Sequence, residues 1–135
     1  MLKKIVANST VGRVVIMDSI TKVTMEDNGA NVVSASHGGA SSGEFALEVP
    51  LSSVFFNDAG VGKNKAGIAA LAMLQAHGVA AGTIGHETGC IGDCQDMWDE
   101  GVISHANELA IARGLKPGMK VKTALLAAIG ENAKL

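Results

Sequence analysis

The sequence has no tyrosine, and only four of its 135 residues are aromatic: Phe45, Phe55, Phe56 and Trp98. A chain so poor in stacking side chains lacks the usual platform for unpaired bases. Its charge does not compensate. Eleven basic and thirteen acidic residues leave a net charge of -2, scattered along the chain. No basic footprint for nucleic acid is present. Two prolines and aperiodic glycines exclude collagen. Two cysteines, Cys90 and Cys94, cannot build a disulfide scaffold. No apolar run approaches the roughly 18 residues of a membrane span, and MLKKIVANS lacks the apolar core of a signal peptide. The chain is expected in the cytoplasm, off the membrane, with both thiols reduced.

What is abundant is small. Glycine and alanine together make 37 of the 135 residues, and 47% of the chain is hydrophobic, which excludes intrinsic disorder. The length suits one domain over residues 1–135 around one core. With few bulky side chains, close approach of backbones must supply much of the packing.

Short β-branched apolar runs predict strands at Lys3–Ala7, Arg13–Met17, Asn31–Ser36, Ser53–Asn57 and Val79–Ile84. Helical spacing predicts Ala40–Glu48, Lys65–His77, Asp93–Glu100, Ser104–Arg113 and Lys120–Glu131, with Ser104 as an N-cap and Gly78 and Gly114 as stops. Ile20–Asp27 suits either state and leans to a helical turn. Strands alternating with helices indicate an α/β fold, a small three-layer domain with a mainly parallel sheet of four to five strands. A flavodoxin-like order leads. A swivelling β/β/α domain is the alternative, because the first two strands could pair as a hairpin.

The functional signal lies in where the polar residues fall. Each predicted parallel strand runs into a polar segment at its carboxyl end, and all but the first of these segments bear glycine. These segments are Asp18-Ser19, His37-Gly38-Gly39, Asn57 to Lys63, and Gly85 to Cys94. The amino ends begin with ordinary turns. In parallel α/β sheets the carboxyl ends share one edge, and ligands bind in the crevice outside it.

Three segments carry candidate chemistry. In SASHGGASSGEF, Gly38 and Gly39 would let backbone approach an anion, Ser41 adds a hydroxyl, and His37 suits proton transfer. In FFNDAGVGKNK, alignment with the phosphate loop G-x-x-x-x-G-K-[ST] fails at Asn57 and at Asn64, so nucleotide binding is not expected. Asn57, Gly60, Gly62 and Lys63 remain as anion-binding candidates. Asp58 follows two phenylalanines, and burial there would raise its pKa. In GHETGCIGDCQD, His86 is a third proton-transfer candidate and Cys90 a candidate nucleophile. His86, Cys90 and Cys94 have zinc-like spacing, but no second ligand pair completes a closed site; an open site using His37, Asp58 or His86 is the remaining alternative, and Cys94 reads as a small buried hydrophobe. No metal and no cofactor are expected, and no dinucleotide fingerprint is present. His77 and His105 read as structural.

At SASHGG, FFNDAGVGK followed by AGIAAL, and IGD followed by GVISHAN, the chain resembles a bacterial protein family without an assigned activity. The resemblance covers most of the chain and implies no chemistry. Asp58-Ala59-Gly60-Val61 is also similar to the D-S-G-V-G loop of aspartate/glutamate-type racemases. Those enzymes use two cysteines from two related halves, whereas Cys90 and Cys94 lie four residues apart.

These residues together predict a small-molecule enzyme acting on an anionic metabolite by acid–base or nucleophilic chemistry, of hydrolase, lyase or isomerase type. His37, Asp58, His86 and Cys90 would be catalytic. The alternative is a ligand-binding or regulatory module, or a subunit of a larger enzyme. A homo-oligomer is expected in either case, with the small-residue helix Ala66–Ala76 as a contact.

Overall fold

The computed structural model describes residues 1–130, an α/β domain around one six-stranded sheet. The strands are β1 (Lys3–Asn8), β2 (Arg13–Met17), β3 (Asn31–His37), β4 (Ser53–Asn57), β5 (Ala80–Ile84) and β6 (Ile103–Ala106). They lie in sequence order across the sheet. β2, β3, β4 and β5 are parallel neighbours, while β1 and β6 pair antiparallel at the two edges. The expectation of a mainly parallel sheet of four to five strands is therefore corrected to a mixed sheet of six. The strand order is not the flavodoxin one. One of the two antiparallel pairs, β1 with β2, follows from a connection too short for a crossover. The turn at Ser9–Gly12 folds β1 back on β2, closed by Ser9 N donating to Gly12 O at 2.8 Å.

Five short α-helices cover the sheet: α1 (Ala40–Ala46), α2 (Ala70–Ala76), α3 (Cys94–Glu100), α4 (Glu108–Ala112) and α5 (Val121–Ala128). None is long enough to be stable alone, so packing on the sheet must hold them. Strand alternation divides the core into two layers. One face gathers Ile16, Val33, Phe55 and Ile84 under α3 and α5, with Trp98, Leu115 and Leu125. The other gathers Val15, Val32, Val54 and Phe56 under α1 and α2, with Ala46, Leu71 and Leu74. β4 is central and all five of its residues are buried. Among the described residues no helix is long and apolar enough to cross a membrane.

Several local expectations change. Ile20–Lys22 and Met25–Asp27 are 3-10 turns, as the helical leaning required. Residues Lys63–Ile68 form a kinked 3-10 segment ahead of α2, so the predicted single helix from Lys65 is broken. Ser104 is not an N-cap. Ile103–Ala106 is strand, and Asn107 caps α4 by accepting from Ala110 N at 3.0 Å. The predicted last helix ended at Glu131, which lies outside the described residues.

Candidate functional site

The carboxyl ends of β2 to β5 do share one edge, and the chain after β5 runs back across it. Asn57 Nδ2 donates to Gly89 O at 2.8 Å. Gly92 N donates to Ala35 O at 3.0 Å, and Cys94 N to Asp18 Oδ1 at 3.0 Å. Residues 85–94 thus cross β4, β3 and β2 in turn. The two antiparallel strands bring their amino ends to this same edge.

At its centre stands Asp58, with 4% of its surface exposed. Its Oδ1 accepts from Gly60 N at 2.8 Å, from His86 N at 3.1 Å and from His86 Nδ1 at 3.2 Å. Its Oδ2 accepts from Ser104 Oγ at 2.7 Å. Burial is the strongest single influence and pushes the pKa up. The donors from Gly60, Ser104 and His86 together outweigh it, so the pKa lies below the ordinary carboxylate value. The expectation of a raised Asp58 pKa is corrected. Asp58 is a fixed anion, not a proton carrier.

That anion orients His86. With Nδ1–H directed at Asp58, a neutral imidazole keeps its lone pair on Nε2. The His86 side chain is 49% exposed and borders a cleft of about 350 Å³ with Asp58, Gly60, Val61, Glu87 and Ser104. The ring lies over Gly60.

Sequence reasoning missed Ser104. The β5–β6 register pairs Thr83 with His105 and Ile84 with Ile103, which leaves Ser104 as an extra, bulged residue. A bulge re-aims a side chain. Here it brings the neighbouring Ser104 and His105 to the same side, both within reach of Thr83 Oγ1, at 2.9 and 3.5 Å. Ser104 then donates to Asp58 and can accept from Thr83.

The loop between β4 and the 3-10 segment is strained. Ala59, Val61, Asn64 and Lys65 all have positive φ, between +51° and +68°, as do Gly60 and Gly62. A β-branched residue at φ +68° is an outlier, of the kind that costs roughly 1–3 kcal/mol and persists where surroundings over-determine it. The hydrogen bonds onto Asp58 supply such surroundings.

The other candidates are dispersed. His37 is exposed and does not border the Asp58–His86 cleft. It borders two others, one of about 440 Å³ with Gly39, Ala59, Val61 and Gly62, the second of about 390 Å³ with Ser41, Phe45 and Ile91. Asn57 is fully buried, and its carboxamide serves Gly89 O and Ala59 N, which leaves it no part in binding an anion. Gly38 is packed against the Gly67 backbone, so its bare Cα serves chain packing. Lys63 is exposed.

The cysteines separate. Cys94 is buried, and burial together with the nearby Asp18 pushes its thiol up to about 12. Cys90 is exposed, with its amide bound to Asp96 Oδ2 at 2.8 Å, and it does not border the His86 cleft. The zinc-like spacing of His86, Cys90 and Cys94 is therefore not assembled, and among the described residues no group of three His, Cys, Asp or Glu could hold a metal ion. A thiol titration should find one reactive cysteine in the native protein and two in guanidinium. Two fast thiols in the native state would contradict the burial of Cys94.

Compared with known proteins, the chain matches no family model, no curated protein and no solved structure.

Proposed function

We propose that the protein is a small-molecule enzyme working by general acid–base chemistry, with His86 as the proton-transferring group. The observation that carries this reading is the Asp58–His86 pair. A buried carboxylate fixes one ring nitrogen and leaves the other facing a cleft of substrate size. Nε2 would take a proton from a substrate O–H or C–H, or from a water attacking it. Asp58 would stabilise the imidazolium so formed, and the same nitrogen would return the proton to the product. Isomerisation, elimination and hydrolysis all fit that cycle. A covalent intermediate is less well supported, because the Ser104 proton points to Asp58 and Cys90 stands outside the cleft.

Substrate charge is constrained as well. The His86 cleft is lined by Asp58 and Glu87 and by no lysine or arginine. An anionic group would not settle beside the dyad. An anionic metabolite would have to place its charge elsewhere, with a neutral reacting end at His86.

A second reading, a ligand-binding module or a subunit completed by another copy, is favoured by the half-exposure of His86. Water reaches that ring freely in the single chain, whereas an active site gains from excluding it. Light scattering separates the two arrangements: a strict monomer argues against completion by a second copy. The enzyme reading is tested by screening wild type and His86→Ala side by side on hydroxy, keto and amide compounds. Turnover by wild type that His86→Ala abolishes is the expected result. Turnover that survives the substitution sinks the proposal.

A further inference from the structure

The His37 ring is also held by a hydrogen bond at Nδ1, but in the opposite sense to the His86 ring. His37 Nδ1 accepts from Gly39 N at 3.1 Å. A ring nitrogen that accepts carries no proton, so a neutral His37 has its proton on Nε2. Against the acceptor-only Asp58 carboxylate, a neutral His86 has its proton on Nδ1 and its lone pair on Nε2. One outward-facing imidazole is therefore a donor and the other an acceptor.

The two clefts they border are neighbours. Val61 lines both, and so does the strained loop that carries it, through Gly60 on one side and Gly62 on the other. Their linings differ in charge. The His86 cleft has Asp58 and Glu87. The His37 cleft has no acidic residue, and apart from His37 it is lined by glycine, alanine and Val61.

We propose that the two clefts are two halves of one substrate site, and that the His37 half receives a carbonyl or carboxylate at the non-reacting end of an elongated small molecule. This rests on His86 being the base at the reacting end. The ligand is thereby given a polarity. One end offers a proton to Nε2 of His86. A short apolar middle passes Val61. The far end accepts a hydrogen bond from Nε2–H of His37, away from the carboxylates that would repel a negative charge. The dispersal of His37 from Asp58 and His86 then has a function, since substrate binding and proton transfer are divided between the clefts.

Gly39 gives an independent handle. Its φ of -82° suits any residue, yet a Cβ there would stand 2.7 Å from the His37 ring. Gly39→Ala must therefore swing the ring out of its hydrogen bond while leaving the backbone alone.

The test uses imidazole-nitrogen NMR on the whole protein, with linear ω-hydroxycarboxylates of increasing length and the matching ω-hydroxyamides as probes. In the free protein His37 should show its proton on Nε2 and His86 on Nδ1. Short probes should move one histidine. Above a threshold length both should move on one saturation curve, with affinity about tenfold or more above that of the short probes. His37→Ala and Gly39→Ala should each return the long probes to short-probe affinity, and melting curves establish that both variants are folded. A carboxylate bound more tightly than its amide identifies a charged far end, and equal affinity a neutral carbonyl. Affinity that ignores chain length, or that His37→Ala leaves intact, overturns the two-cleft site and leaves the base reading standing. A His86 ring protonated on Nε2 in the free protein overturns the base reading itself.

Discussion

Asp58→Asn should leave the protein folded and lower turnover by about 10²–10⁴-fold. The geometry explains why the two effects separate. An asparagine oxygen at the Oδ1 position can still accept from Gly60 N and from His86 N and Nδ1. Its amide, at the Oδ2 position, can donate to Ser104 Oγ, which turns from donor to acceptor. The loops therefore stay tied. What is lost is the charge that stabilises an imidazolium at His86. Asp58→Ala differs, because it removes at once the acceptor that ties Gly60, His86 and Ser104 together. It should cost about 1–3 kcal/mol of stability. Steady-state kinetics and thermal melts of the two variants, run together, check the separation. An asparagine variant with wild-type turnover would remove Asp58 from the chemistry.

The same carboxylate has a signature in acid. Its pKa is lower in the folded chain than in the unfolded one. A depressed carboxylate stabilises the fold above its unfolded pKa, near 3.9 or so, and the contribution is lost as pH falls through that value toward the folded one. Asp18 acts in the same direction. It is depressed chiefly by the Cys94 amide and then by the Leu2 amide, so the ties of β1 and α3 to the edge weaken over the same acid range. Asp58→Asn should flatten this acid limb only in part, because Asp18 remains.

The sequence made some of this site visible. Strands β2 and β4 are bounded by clear turn residues and buried on both faces, so their β-branched and aromatic runs marked them without ambiguity. Once two parallel strands are recognised, their carboxyl ends name Asp58, and the next such end names His86. β6 gave no comparable signal. ISHA is four residues long, only one of them fully buried, and it runs directly into a helix cap, so helical spacing absorbed it. Ser104 was hidden twice over, by that misassignment and by a bulge that only strand pairing creates. The Asp58 pKa went wrong for a related reason. Two adjacent phenylalanines argued for burial, whereas the donors that outweigh it are the Gly60 amide, two residues on, and Ser104 and His86, 46 and 28 residues away. Local sequence displays desolvation, but compensation by hydrogen bonds, near or distant, becomes visible only in the fold.

Composition did anticipate that backbones must approach closely, and Gly67 is where that approach bears on the site. Gly67→Ala should lower stability by about 3 kcal/mol or more, a drop of roughly 10 °C in melting temperature for a chain of this size. A Cβ at Gly67 would collide with the Asp58 carbonyl and stand 3.0 Å from Val61 O, while Gly38 packs against the Gly67 carbonyl from the other side. The amide of Gly67 is also bound to Val61 O at 2.7 Å. Three stretches of main chain meet there with no flexible side chain to yield, so the loop carrying Asp58 must shift. Gly92→Ala is the control. Gly92 has φ +86° and nothing within 4 Å of its added Cβ, so only backbone strain of about 1 kcal/mol is expected. If the two variants melt alike, the collision is not what glycine at 67 prevents. If Gly67→Ala is the weaker and also perturbs the His86 ring signals, as Gly92→Ala should not, the close backbone contact is what sets Asp58 in place. The strained residues from Ala59 to Lys65 would then be fixed from below by Gly67 and from above by the donors of His86 and Ser104.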